Sequence, residues 1–361
     1  MTPSPLPEIR DRIEQTVIGF VAEQHHILAP IAPELTMLTQ TLEQFFAGGK
    51  LLRPLFVVAG GSAAAGGWDR VSSDHADGLL TLGGAIELVQ AAALMHDDVI
   101  DNSPTRRGRP AVHEGAAAWH REQALVGEPA DFGLATAVIL GDLALSWAEQ
   151  LAARALSGPE PRRQFDLVRT EVMAGQYLDI LNQMGGFTSA PSMREASLTV
   201  TRWKTVPYTV LRPLLLGAAQ FGADPELLEA LSAVAVPLGT AFQLRDDLLG
   251  VFGDQGAIGK PASSDITEGK RTTLLAHALD HADAGQRAEL QRIIGNANAS
   301  PADVDSVRQI FTDTGARQRS ETDVRQEADA ARHALESRVR PLTGQEGAAL
   351  LEELLNEATA L

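Results

Sequence analysis

The residues best able to do chemistry in this chain are two groups of aspartates. In LVQAAALMHDDVID, Asp97, Asp98 and Asp101 close an apolar run. At helical spacing Asp97 and Asp101 lie on one face and repel each other. They also fall toward a helix C-terminus, where the backbone dipole disfavours negative charge. Three acids so placed call for a compensating cation. With oxygen donors alone, the fitting ion is a hard divalent one such as Mg²⁺, which binds one or two carboxylates together with substrate phosphates. The pattern recurs in LGTAFQLRDDLLGVFGD, where Asp246 and Asp247 follow a second apolar run and Asp254 lies beyond them. A solvated helix end accounts for either group alone. Two such groups, each followed by a basic loop, favour two carboxylate walls facing each other across a helical cavity, with metal ions and a polyanion between them.

The cations point the same way. Arg106 and Arg107 follow the first group, and Lys260 and Lys270 follow the second. GGKLLRP adds Lys50 and Arg53, three residues apart and on one side if helical. Arginine suits bidentate phosphate contacts, and lysine acts as a mobile point charge. For any one of these a surface charge is the plain alternative, and for Lys50 and Arg53 alone the two readings weigh equally. No GxxxxGK[ST] loop and no GxGxxG turn gives support to a nucleotide fold.

The elements that must position these residues are helices. The chain has 361 residues, 44% hydrophobic and only 5% aromatic, and no Val/Ile/Thr alternation reads as a sheet. Apolar residues recur at helical spacing in 79–95, 134–156, 164–183, 194–219, 226–250, 272–295, 302–313 and 319–340, with an amphipathic C-terminal segment. Gly60-Gly61 to Gly67, Gly185 to Pro191 and Asn296 to Pro301 read as separators. Ser300-Pro301 reads as an N-cap followed by the first helical residue. The fold class expected is all-α: a single-domain helical bundle over residues 1–361 around a deep central cavity, with 1–10 loosely ordered.

Two polar loops, 102–110 and 253–272, interrupt the helices; the second, glycine-rich and basic, reads as a lid. Thirty basic against 47 acidic residues give a net charge of −17, which argues against a nucleic-acid partner. The absence of cysteine removes disulfides, thiolate metal sites and cysteine nucleophiles. No signal segment opens the chain, and the apolar runs near 79–95 and 210–220 are broken by Glu87 and Gln90 or too short to span a bilayer. A cytoplasmic protein without an integral membrane segment is expected.

Taken in order, these motifs resemble the trans-isoprenyl diphosphate synthases, the polyprenyl synthetase family of farnesyl and geranylgeranyl diphosphate synthases. GGKLLRP, HDDVIDNSPTRRGRPAVH, ILGDLAL, GQYLDI, Lys204-Thr205 and FQLRDDLLGVFGD with GKPASSDITEGKRT run through most of the chain in the family's sequence. The resemblance implies an all-α bundle, a homodimer, and three Mg²⁺ per active site. Carried over by position, Asp97 and Asp101 would hold two Mg²⁺ with Asp98 in support, and Asp246 the third with Asp247 in support. Arg106, Lys204 and Lys260 would hold an allylic diphosphate. Gly49, Lys50, Arg53, Gln90 and Arg107 would hold isopentenyl diphosphate. Gln176, Thr205, Phe242, Gln243, Asp265 and Lys270 match further cavity or lid positions. The chemistry implied is ionisation of the allylic diphosphate, attack by the isopentenyl double bond and loss of a proton, with no side-chain nucleophile.

Two positions depart from the family pattern. Gly250 stands where the second motif often carries its third aspartate, and Leu51 replaces a basic residue of the GGK segment. Product length is expected from the residues before Asp97. Ala93 and Ala92 lie roughly 6–7.5 Å up the helix, where bulky aromatics in the family stop growth at about C15. Alanines there imply a longer product, geranylgeranyl diphosphate (C20), with the cavity floor at Val89 or Ile86; helix packing accounts for them equally well. A longer-chain synthase (C30 or more), a class I terpene cyclase and an inactive regulatory subunit are the rival readings. His277 and His281, four apart, lack a third ligand and read as a solvated helix face, and His96 reads as a packed histidine.

Overall fold

The computed structural model describes residues 4–46, 49–186, 189–253 and 264–361. Helices run in the order α1 (Leu6–Leu28), α2 (Thr36–Phe46), α3 (Leu52–Ala65) and α4 (Ser73–Ile100). A two-strand ribbon follows, β1 (Thr105–Arg106) antiparallel to β2 (Arg109–Pro110), then α5 (Val112–Glu122), α6 (Pro129–Ala153), α7 (Pro159–Met184) and α8 (Ala190–Val200). Two π-helical turns, Thr201–Thr205 and Pro207–Leu211, lead into α9 (Arg212–Gln220) and α10 (Pro225–Phe252). The rest comprises α11 (Ser264–Thr267), α12 (Thr273–His281), α13 (Ala284–Ile293), α14 (Pro301–Asp313), α15 (Ala316–Ala334), and α16 (Arg340–Thr359), which is broken at Gly344 where φ is +73°. The described chain is all-α apart from the ribbon, as expected. It folds as two compact units.

The first unit comprises residues 1–165, 213–228 and 343–354. Within it α4 packs on α1, α3 and α6, and α5 packs on α6. The apolar face of α4 is wide: Leu79, Leu82, Ile86, Leu88, Val89 and Met95 are all buried. Helix α1 begins at Leu6, inside the segment expected to be loosely ordered, because Leu6 and Ile9 are buried. Gly60 and Gly61, read from the sequence as a separator, lie inside α3. A Cβ on Gly60 would overlap the Leu214 carbonyl of α9, and one on Gly217 would overlap the Val57 carbonyl of α3. The two glycines let these backbones approach each other. Helix α3 ends instead at Gly66, whose φ of +77° is a left-handed cap suited to glycine.

The second unit comprises residues 166–212, 229–342 and 355–361. Its core joins Leu244, Leu248 and Val251 of α10 to Ile266, Leu274, Leu275, Leu279, Val307 and Phe311. Ser300 caps α14 as the sequence indicates, with Asp303 completing a capping box. The single helix expected over 272–295 is two, because Asp283 and Gln286 form a second capping box that starts α13.

Helices α4, α6 and α10 are each long and apolar enough to cross a membrane by length and composition, against the expectation that no stretch would be. Glu87 and Gln90 do not lower the mean hydropathy of α4 enough to disqualify it, and most of that apolar window is buried within the fold.

Candidate active site

In the first unit the aspartates terminate α4, and Asp101 is its C-cap. Asp98 is fully buried, Asp97 and Asp101 partly so. The ribbon folds back on this helix end. Arg107 and Gly108 at its turn have φ of +52° and +74°, the left-handed pair that a tight two-residue hairpin turn requires. The turn returns Arg106 to the acids: its Nε donates to Asp98 Oδ1 at 2.8 Å, its Nη2 reaches the same oxygen, and Asp97 Oδ2 lies 3.8 Å away. Arg106, carried over as a diphosphate ligand, thus also supplies part of the positive charge that the acidic helix end demands. The GD element has a structural role beside it. A Cβ on Gly141 would stand 2.6 Å from His96 Cδ2, so the glycine makes room for the His96 ring one residue before Asp97.

The GGK segment meets the same turn. A Cβ on Gly49 would lie 3.1 Å from Arg107 Nη1, and Arg107 Nη1 donates to the Phe45 carbonyl at 2.9 Å while its guanidinium sits 5.2 Å from the Phe45 ring centroid. Lys50 is exposed and its carbonyl accepts from Arg10 Nε at 3.0 Å; Arg53 is half-buried on the first turn of α3. Leu51, which departs from the family's basic residue, is buried and left-handed at φ +51°, a position whose side chain faces the core. Gln90 is buried on α4. One turn before it stands a residue that the sequence reading treated only as a break in hydrophobicity. Glu87 is 1% exposed, and its Oε1 lies 3.6 Å from Arg107 Nη2, an ion pair too long for a hydrogen bond. Burial pushes its carboxyl up to about 7, while the charges of Arg107 and Arg53 pull the other way. The signal in the sequence was a lone acid inside an otherwise apolar helix.

Of the residues expected to set product length, Val89 and Ala92 are fully enclosed by packing and Ala93 keeps part of its surface.

In the second unit the site is built by α7, the first π turn, α10 and α11. A π turn widens the helix by one residue and re-aims side chains, and such turns recur at functional sites. Here the turn carries Lys204 and Thr205. Gly175 of the GQ element lets α7 lie against it, since a Cβ there would overlap the Lys204 backbone and stand 2.6 Å from the Trp203 carbonyl carbon. Lys204 Nζ donates to Asp179 Oδ2 at 2.7 Å. Asp179 belongs to the quoted GQYLDI motif but drew no role from the sequence. Gln176 is partly buried on α7. Thr205 Oγ1 donates to Gln243 Oε1 at 2.5 Å, and Gln243 Nε2 donates to Asp247 Oδ1 at 2.7 Å.

Asp246 is exposed and Asp247 is buried. Burial raises the Asp247 carboxyl well above the usual carboxylate range, reinforced by the neighbouring Asp265 and Asp246 charges and opposed by Gln243 and Lys270. Lys270 Nζ lies 3.6 Å from Asp265 and 3.3 Å from Glu268. Phe242 is half-buried. Lys260, Asp254 and half of the expected lid (254–263) lie outside the described residues.

His277 is not on a solvated face. It is partly buried and its Nε2 lies 2.8 Å from Asp323 Oδ2, so a hydrogen-bond partner on α15 accounts for it.

Among the described residues no three His, Asp or Glu side chains converge as a ready-made metal site. Mg²⁺ held jointly with a phosphate ligand needs only one or two carboxylates from the protein. The all-oxygen donors at the end of α4 and on α10 have the right hardness, and the strained charge of Asp247 is the kind a divalent cation relieves.

The sequence matches the polyprenyl synthetase family over residues 35–311. It is 30% identical over 269 residues to a short chain isoprenyl diphosphate synthase of Methanocaldococcus jannaschii, covering 74% of this chain and 73% of that protein. It is also 30% identical to a geranylfarnesyl diphosphate synthase of Aeropyrum pernix, over 86% of this chain and 89% of the other. Its structure superposes with a TM-score of 0.90, at 35% identity and 98% coverage of both chains, on the crystal structure of a geranylgeranyl pyrophosphate synthase from Corynebacterium glutamicum complexed with isoprenyl diphosphate and magnesium. By its sequence and its fold, this chain belongs to the polyprenyl synthetase family.

Proposed function

We propose that the protein is a Mg²⁺-dependent prenyl transferase that joins isopentenyl diphosphate head-to-tail to an allylic diphosphate, with geranylgeranyl diphosphate as its main product. The observation that carries this reading is the presence of both aspartate groups on apolar helices, the first with Arg106 paired to Asp98 and the second with the Lys270 charge acting on Asp247. Asp97, Asp101 and Asp246 would hold the metal, with Asp98 and Asp247 in support. When bound, Mg²⁺ neutralises the departing diphosphate so that the allylic C–O bond can ionise. Arg106, Lys204 and Lys260 would share that negative charge. Lys204 is held ready by Asp179, and Arg106 by Asp98.

Gly49, Lys50, Arg53, Gln90 and Arg107 would anchor the isopentenyl diphosphate, leaving its double bond to attack the allylic cation. The proton then leaves to the released diphosphate. No protein nucleophile takes part, consistent with a chain that has no cysteine. Closure of the segment around 253–272 would keep water from the cation.

The small side chain of Ala93, with part of its surface uncovered, supports growth beyond C15. The related geranylfarnesyl synthase makes a somewhat longer product the second reading. A homodimer in the cytoplasm fits the chain: α6 leaves Leu134, Val138 and Ile139 exposed along one face, which a second copy would cover.

The test is incorporation of labelled isopentenyl diphosphate by wild-type protein, Asp97→Ala and Asp246→Ala, with and without EDTA. The reading expects EDTA to abolish incorporation and each substitution to lower it by roughly 10²-fold or more. Full activity in EDTA, or in either variant, contradicts it.

A further inference from the structure

Glu87 is a buried carboxylate that the reaction above does not use. It interrupts the apolar face of α4, and among the described residues neither of its oxygens has a hydrogen-bond donor. A buried acid left in this state costs stability and calls for a reason. The reason lies in what faces it. From the ribbon turn comes Arg107, 3.6 Å away, and from α3 the charge of Arg53 also bears on it. Helix α2 contributes a carbonyl, that of Phe45, which holds Arg107. One turn earlier on α4, at Gly84, the neighbours from α1 and α6 are Thr16, Val17 and Leu151, none titratable.

We propose that Glu87 is the internal counter-ion of a diphosphate site formed by Arg53 and Arg107, and that it takes up a proton when a diphosphate replaces it as their partner. This rests on the reading that Arg53 and Arg107 hold the isopentenyl diphosphate. Without an anion, the two guanidinium groups favour the ionised carboxylate against its burial. An anion on those arginines offsets their field, and burial then prevails. The proton comes from bulk solvent, rests on a Glu87 carboxylate oxygen, and returns to solvent when the anion leaves. With the Glu87 carboxyl raised to about 7, the exchange falls at neutral pH. Ionised Glu87 competes with the diphosphate, so binding tightens as pH falls. Its sensitivity is about tenfold for each unit by which the anion raises the Glu87 carboxyl.

The experiment is calorimetric titration of inorganic diphosphate into the full-length protein in EDTA, which confines binding to arginine and lysine sites. It is run from pH 6 to 8 in two buffers of different ionisation enthalpy. Glu87→Gln is compared with wild type, so that protonation of the diphosphate itself cancels, and Arg107→Gln serves as a second variant. The expected result is extra proton uptake by wild type near pH 7 that Glu87→Gln and Arg107→Gln both lack. Glu87→Gln should also bind several-fold tighter than wild type at pH 8 and equally at pH 6. Equal proton uptake and equal pH slopes in wild type and Glu87→Gln would overturn the proposal, as would no diphosphate binding at all. Failure of the synthase reading is separately visible, as absent isopentenyl incorporation by the same protein.

Discussion

The carboxylate of Asp265 fills the space that a side chain on Gly250 would need. A Cβ built on Gly250 would stand 2.7 Å from Asp265 Cγ and overlap its Oδ2. Gly250 is the position where the family's second motif often carries a third aspartate. Here α11 supplies an acid to that place, and it bears on Asp247 strongly enough to raise its carboxyl further. The apparent gap in the motif is therefore occupied by charge from another element. Gly250→Asp should drive the two carboxylates into one volume and weaken Mg²⁺-dependent diphosphate binding by about tenfold or more, the scale of a lost supporting group at a metal site. Adding Asp265→Gly should recover most of that loss. Titration of inorganic diphosphate in the presence of Mg²⁺ reads both, and strictly additive losses would count against the exchange.

The buried acid of α4 makes stability depend on pH. In the folded protein the Glu87 carboxyl is raised from 4.5 to about 7, so between those values the native state keeps a proton that the unfolded chain has lost. Stability therefore falls as pH rises through this window and levels off above it. The group's share is up to roughly 3 kcal/mol. Urea unfolding at pH 5 and pH 8 should show a smaller fall in Glu87→Gln than in wild type. An identical fall would mean that the carboxyl is not raised.

Two adjacent alanines before Asp97 should respond differently to a phenyl ring. Ala92 is fully enclosed, so Ala92→Phe overpacks the core and should cost about 1–3 kcal/mol or more in stability. Ala93 retains exposed surface, so Ala93→Phe should leave the fold intact and shift products toward C15. Chromatography of dephosphorylated products, with melting curves, separates the two outcomes; an unchanged length distribution in Ala93→Phe would remove α4 from length control.

The exposed face of α6 makes a further expectation concrete. Ile139 is 54% exposed in the single chain, beside Leu134 and Val138. If the proposed homodimer uses this face, a charge there, as in Ile139→Glu, should convert it to monomer in light scattering while sparing the fold. A variant that remains dimeric would place the interface elsewhere, and a wild-type monomer would contradict the homodimer.

The aspartates of α4 and α10 were legible because acids closing an apolar run violate a local rule, and Ser300 because its cap is set by neighbours in sequence. What escaped depended on contacts between distant segments. Gly60 and Gly61 read as breakers until α9 is seen to need the missing side chain of the first and Leu79 of α4 that of the second. Glu87 read as a blemish in a hydrophobic run, since its meaning depends on where a left-handed turn at Arg107 and Gly108 sends an arginine. The π turn carrying Lys204 has no mark in propensity beyond Pro207 next to it, and Asp265 shows no relation to Gly250 until α11 is in place.

The central claim is prenyl transfer to isopentenyl diphosphate, and its most direct measurement is a product assay. Purified protein would be incubated with Mg²⁺, labelled isopentenyl diphosphate and, separately, C5, C10 and C15 allylic diphosphates, and the products dephosphorylated and sized. A labelled C20 alcohol is the predicted result. No incorporation from any of the three primers, by protein shown to be folded, would contradict the account.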